Sequence, residues 1–213
     1  PSASATLVPV AARALRDAQP EIAVSLVEAE PPEALALLRA GEVDVALAFG
    51  YPEAEPAPGS DVEVLELMEE QLLAVLPPGP DRPRALRRSA RRRSGAVALR
   101  ELADETWIAG CERCRAHLLH LARAAGFDPA IAFATDDYVT VQGLVAAGLG
   151  VALLPELALS ASRRADVDVR PLAEPAARRI VAVVAAAPRQ PPAVAAMLKA
   201  LRGAADARTG APQ

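Results

Sequence analysis

The sequence predicts an α/β protein built from two small three-layer subdomains. Three observations predict it. Apolar runs with strand character alternate with helix-period segments along the chain. The alternation repeats in the second half, after a Pro- and Arg-rich interruption. The apolar fraction is 52% over 213 residues, enough for a sizeable core, with aromatics at only 3%. Such a core is mostly Ala, Val and Leu, and wholesale disorder is excluded.

The elements follow in order. Leu7, Ala11, Ala14, Leu15 and Ala18 fall on one helical face, which predicts a first helix over Leu7–Ala18. Ser4 or Thr6 is positioned to cap it and Pro20 to stop it. Ile22–Val27 reads as a strand, Glu33–Ala40 as a short helix closed by Gly41, and Val43–Phe49 as a nearly all-apolar strand. Together these make one β-α-β unit, whose crossover is expected to be right-handed. Tyr51–Ser60 reads as a loop, and Val62–Met68 and Leu72–Leu76 as two strands. Pro77–Gly95 reads as a surface excursion.

The second half resumes with a short strand at Trp107–Ala109 and a helix at Arg115–Ala125, ended by Gly126. A strand follows at Ile131–Ala134, then a helix capped by Asp136 or Asp137 that runs to Ala147 and stops at Gly148. Val151–Leu154, Val167–Leu172 and Ile180–Ala186 read as strands. Pro191 and Pro192 open a last helix carrying Val194, Met197, Leu198 and Leu201, ended by Gly203, with a frayed tail beyond. The last helix is expected to return to the first subdomain. That gives residues 1–70 plus 176–213 as subdomain I and 71–175 as subdomain II, with an interlobe cleft where ligands bind.

Charge and motifs narrow the function. The net charge is −4, and seven Arg fall within residues 82–93. Without those seven the chain carries −11, so it offers no general platform for DNA phosphates. The Arg run has no interleaved aromatic for base stacking. No apolar stretch reaches about 18 residues, the length of a membrane span. The opening PSASATLVP has no basic stretch before an apolar core, so no secretory signal is read; it also lacks an initiator Met, which points to a fragment. Two Cys are too few for a disulfide framework. No nucleophile elbow, P-loop or dinucleotide fingerprint is present, and Gly148 and Gly150 lie at a helix end, the wrong polarity for phosphate.

One constellation stands out. All the Cys and His of the chain lie in the series Cys111, Cys114, His117 and His120. If helical, its ends lie about 13 Å apart at 1.5 Å per residue, too far for all four to hold one ion. The residues leave open simple packing, a thiol- or metal-responsive sensor, and a thiol oxidoreductase.

The string QPEIAVSLVEAEPPEALALLRAGEVDVALAF, with its turn at Gly41, Val43, Asp44, Val45 and Ala46, resembles the first subdomain of LysR-type transcriptional regulators. The stretch from Glu101 to Pro155, with Gly126 to Pro129, is similar to the second. The resemblance implies an effector-binding domain of the type 2 periplasmic-binding-protein fold. It implies a small-molecule effector in the cleft, a homodimer or homotetramer, and DNA contact only through an N-terminal winged helix-turn-helix absent from this chain. It implies a cytoplasmic protein with no membrane association, no cofactor, no metal and no enzymatic activity; a solute-binding transport receptor of the same fold is the rival. The implied effector contacts are Ser2 and Ser4, ahead of the first helix with Thr6; Pro31; Phe49; Gly110, Cys111, Arg113 and Cys114 before the helix of the other lobe; and Thr135 and Asp136. Arg113 would pair with an anionic effector.

Overall fold

The computed structural model describes residues 2–52, 59–79, 83–87 and 95–210. The chain forms two compact units, Pro1–Glu70 with Arg178–Gln213 (unit 1) and Gln71–Ala177 (unit 2). The passage from unit 1 to unit 2 lies within a strand, and so does the return.

Unit 1 opens with helix α1, Ser2–Ala18, which buries Leu7, Ala11 and Leu15. That face packs on the last helix, α7 (Pro192–Thr209), which buries Val194, Leu201, Ala204 and Ala205. Helix α2, Pro31–Ala40, starts on two prolines that sacrifice no hydrogen bond and ends on Gly41 at φ 71°, where the left-handed region favours glycine. It covers strand β1, Ala46–Gly50, through a core of Leu38, Ala46 and Val183. β1 runs antiparallel to β7 (Ala177–Ala185), from Ala46 opposite Val183 to Gly50 opposite Arg179. β7 lies in turn beside β2, Val62–Leu76.

Unit 2 takes the second half of β2. Leu72–Val75 pairs antiparallel with β5 (Ala152–Pro155), and Leu73–Leu76 with β6 (Asp168–Pro171). Strands β3 (Thr106–Ala109) and β4 (Ala130–Ala134) are parallel, joined by helix α4 (Glu112–Ala124). Helix α5 (Tyr138–Ala146) leads from β4 toward β5, and the short α6 (Glu156–Ala161) follows. Val75, Ile108, Val141, Val145, Ala152, Leu154, Leu159 and Val167 form the core. Trp107 is fully buried and stacks on Phe127 at 6.2 Å. Gln142, also fully buried, donates to the Tyr138 and Ser162 carbonyls and accepts from the Arg164 N–H. A buried amide satisfied in this way ties α5 to the loop after α6. Gly150 sits where a Cβ would lie 2.7 Å from the Thr106 carbonyl, so only glycine lets β3 approach.

Several expectations are corrected. Helix α1 begins at Ser2, not Leu7. Pro9 stands inside the helix. Having no N–H, it leaves the Ala5 carbonyl without its i+4 donor. Ile22–Val27 is not a strand: the segment has no regular secondary structure and enters no ladder, and residues 23–28 are exposed. Apolar composition makes a strand only where a backbone partner exists. The two strands read between 62 and 76 are one continuous strand of 15 residues, because the Glu-Glu-Gln interruption is accommodated by burying Glu70. Helix α7 passes through Gly203 to Thr209, held by burial of Ala204 and Ala205, so the tail to Thr209 is not frayed. Of the Arg-rich segment 82–93, residues 84–87 form a one-turn helix, α3, with Leu86 buried, preceded by the buried Pro83; residues 82 and 88–93 lie outside the described residues. So do residues 53–58 of the Tyr51–Ser60 loop. Among the described residues, no helix is long and apolar enough to cross a membrane.

Candidate functional site

Each unit presents its own group of candidate residues. In unit 2, β3 and β4 are parallel, so both end at the same edge of the pair, and each is followed by a helix. The segments leaving these strands carry Gly110, Cys111, Arg113 and Cys114 on one side and Thr135 and Asp136 on the other. The Thr135 N–H donates to the Ala109 carbonyl at 3.0 Å, which brings the two segments together. Carboxyl ends of parallel strands are where open α/β sheets place ligands, because helix N-termini there offer unsatisfied N–H groups.

Cys111 is the N-cap of α4 and contributes no side-chain cap bond. The Arg115 N–H donates to the Cys111 carbonyl, so the amides of Glu112, Arg113 and Cys114 form the first turn. Cys111 and Cys114 are half-buried and not joined in a disulfide, with Sγ atoms 3.0 Å apart. Arg113 is half-buried between them in sequence. Asp137, not Asp136, caps α5: its carboxylate accepts from the Val139 N–H at 2.9 Å and from the Thr140 hydroxyl. The Thr140 hydroxyl bond, then the Val139 amide, holds the Asp137 carboxyl below the usual aspartate value. Thr135 Oγ1 accepts weakly from the Asp137 N–H, and Asp136 is exposed.

In unit 1 the structure corrects the expectation that Ser2, Ser4 and Thr6 lie in a loop ahead of the first helix. All three belong to α1. The Thr6 hydroxyl is turned inward and donates to the Ser2 carbonyl at 2.7 Å, so it caps nothing. Ser4 is half-buried inside the first turn. Ser2 is buried, and its hydroxyl accepts from Arg178 Nη2 at 2.6 Å. Arg178 also donates through Nε to Glu70 at 2.9 Å, with Nη2 at 2.7 Å from the same carboxylate oxygen. Its guanidinium lies 4.7 Å from the Phe49 ring centroid, and Phe49 meets Tyr51 edge-on at 5.8 Å. Four elements therefore converge: the start of α1, the end of β1, and β2 and β7 where the chain passes between units. Pro31 is the buried first residue of α2 and offers no N–H.

Arg178 and Glu70 are absent from the sequence expectations. Both are about 1% exposed. The signal was the strand ARRIVAVVA, whose period of two turns Arg178 inward while Arg179 points out. At this depth the ion pair is maintained by its extra partners, because desolvation alone would offset the Coulomb attraction. A metal reading gains no support, since no group of three or more His, Cys, Asp or Glu forms a metal site among the described residues. His117 and His120 stack at 6.4 Å, with only His117 buried.

A family model described as LysR substrate binding domain matches residues 1–206. Over 154 residues the chain is 29% identical to the uncharacterized HTH-type transcriptional regulator YybE of Bacillus subtilis (strain 168), covering 71% of this chain. It spans about half, 48%, of that relative's length. Among solved structures, the BenM effector binding domain with its effector benzoate superposes with a TM-score of 0.78 at 19% identity, over 100% of this chain and 91% of that one. The C-terminal domain of a probable LysR family transcriptional regulator from Rhodococcus sp. RHA1 gives 0.74 at 24% identity, over 94% of each. The fold is that of these periplasmic-binding-protein-like domains.

Proposed function

Because the chain belongs to the LysR substrate binding domain family, we propose that it is the effector-sensing part of a transcriptional regulator whose DNA-binding domain lies elsewhere in the full-length protein. The observation that carries this reading is the family match over residues 1–206. The effector is a small molecule with a polar or anionic head. In unit 2 the head meets the first-turn amides of α4, with Arg113 and Thr135 beside them, where the helix field favours negative charge. Ser2, Ser4 and Thr6 take no part in our assignment, since the Ser2 and Thr6 hydroxyls are engaged within unit 1 and Ser4 is drawn into the first turn of α1. The role is binding rather than turnover, in the cytoplasm, where the regulated DNA is.

Binding acts by population shift: the effector favours one arrangement of the chain, and that arrangement biases the attached DNA-binding domain. Self-association is part of this reading. Val10 on α1, Leu26 and Val27 after it, Phe133 on β4 and Val139 on α5 are exposed large apolar residues. Such surfaces suit a contact between copies of the chain. Light scattering at high micromolar concentration is expected to give at least a dimer mass; a monomer throughout would count against it.

The test of the reading is a thermal-shift screen of small carboxylic acids and aromatics. A ligand at a hundred times its Kd stabilises the native state by about 2.7 kcal/mol. At about 2–4 °C per kcal/mol for a chain of this size, that is a shift of roughly 5–10 °C. For a ligand that shifts the transition, Arg113→Ala should weaken binding about ten- to a hundredfold, as for a lost charge-assisted contact. A ligand bound equally well by Arg113→Ala and by Thr135→Val would refute the unit 2 assignment.

A further inference from the structure

We propose that Cys111 and Cys114 form a reversible dithiol–disulfide site, oxidised by hydroperoxides. They are the only cysteines of the chain, they are not joined in a disulfide, and they occupy the N-cap and third position of α4 with Sγ atoms 3.0 Å apart. A disulfide needs about 2.05 Å, so closure requires each sulfur to move by only about 0.5 Å, within reach of side-chain rotation. Gly110 keeps this approach open. A Cβ there would lie 3.0 Å from the Cys114 Cβ and 3.4 Å from its Sγ. Both thiols are half-buried rather than sealed in the core, so a small oxidant reaches them. The attacking species is a thiolate, and the partial positive charge of a helix N-terminus favours an anion at this place.

The chemistry balances as two successive displacements. One cysteine thiolate attacks the peroxide O–O bond, taking an oxygen to become the sulfenic acid and releasing an alcohol, or water from hydrogen peroxide. The second thiol attacks the sulfenic sulfur. The S–S bond forms, the S–O bond breaks, and the oxygen leaves as water carrying the thiol proton. Both sulfurs are oxidised and one peroxide is reduced. The ring closes over only two intervening residues, so little loop entropy is gained and an external dithiol reopens the bond by exchange. The pair does not serve as a structural zinc site, which needs four ligands, because no third Cys, His, Asp or Glu joins it among the described residues.

The segment Gly110–Cys114 is also the one assigned above to the effector, so a regulatory effect of oxidation rests on that reading. The site itself does not, and its test needs no effector. The reduced chain is titrated with hydrogen peroxide and followed by intact mass and maleimide labelling. The expected product is about 2 Da lighter, loses both thiols together and is restored by dithiothreitol. Cys111→Ser and Cys114→Ser are each expected to gain about 16 Da instead, as a sulfenic acid, and to be labelled covalently when dimedone is present during oxidation. Parent protein that gains about 32 or 48 Da without the 2 Da loss, or whose thiols still label after peroxide, would overturn the proposal. The parent result stands whether or not a variant folds.

Discussion

At the scale of single residues, the most consequential contact is one that composition conceals. Glu70 and Arg178 count as two charges among fifty, yet they are buried against each other, with Ser2 and Phe49 completing the surroundings. Removing one partner of a buried pair leaves a charge without compensation, whereas replacing both by apolar groups can be neutral. Glu70→Ala is therefore expected to cost about 3–5 kcal/mol in urea unfolding. The double change Glu70→Met with Arg178→Met should cost distinctly less. Equal losses would show that the pair is not coupled. Asp137 supplies a pH test. Its carboxyl is held below the ordinary value by the Thr140 hydroxyl and the Val139 amide. A depressed folded value means that its stabilisation is present above the unfolded pKa of about 3.9 and is lost as pH falls through the folded one. Asp61 beside Arg39 and Asp166 beside Arg164 act with the same sign. Asp137→Asn is expected to lower the midpoint near neutrality and to flatten its decline below about pH 4. Curves running parallel to the parent's down to pH 2.5 would contradict this assignment.

At the scale of elements, Pro9 is the feature most open to test. Interior proline costs a helix about 3 kcal/mol, through a lost hydrogen bond and a ring clash. Pro9→Ala restores the N–H that the Ala5 carbonyl lacks, although a freer unfolded chain offsets part of the gain. We expect a net stabilisation of about 1–2 kcal/mol, or roughly 2–8 °C. A lower midpoint would mean that Pro9 is favourable where it stands. Reading Ser4 or Thr6 as a cap places the helix start at Leu7, whereas the helix runs back to Ser2. Periodicity was reliable where a face is fully committed to a core, as in α2, β1, α4 and α5. It failed where the deciding fact was a distant partner. Ile22–Val27 has strand composition but no ladder, and Gly203 reads as a stop, whereas α7 runs on with Ala204 and Ala205 buried. The Cys111–Cys114 pair was legible from spacing; the cluster around Arg178 needed residues 2, 49, 70 and 178 to meet, which no local pattern encodes.

At the scale of the whole molecule, the charge distribution yields a direct expectation. A chain carrying −4, with seven of its basic residues in one short segment, repels a polyanion over most of its surface. Purified residues 1–213 are expected to show no sequence-selective DNA binding at physiological salt in an electrophoretic or anisotropy assay. Sub-micromolar, sequence-selective affinity would place the reading function inside this chain and would overturn the division of labour proposed above.

The order in which the chain leaves the ribosome gives its topology a further meaning. Unit 2 is continuous, and its two ends meet: the Leu72 N–H donates to the Ala176 carbonyl at 2.8 Å. It can therefore close as soon as its own residues have emerged, as domains commonly do during synthesis. Unit 1 cannot, because α1 packs against α7, which is made only after the whole of unit 2. Throughout the synthesis of everything between them, Leu7, Ala11 and Leu15 have no apolar cover from α7, and β1 waits for β7. The nascent chain thus carries an open half-core ahead of unit 2 until α7 appears. Any pause or truncation before Pro192 leaves a finished unit 2 tethered to a sticky, unfinished unit 1.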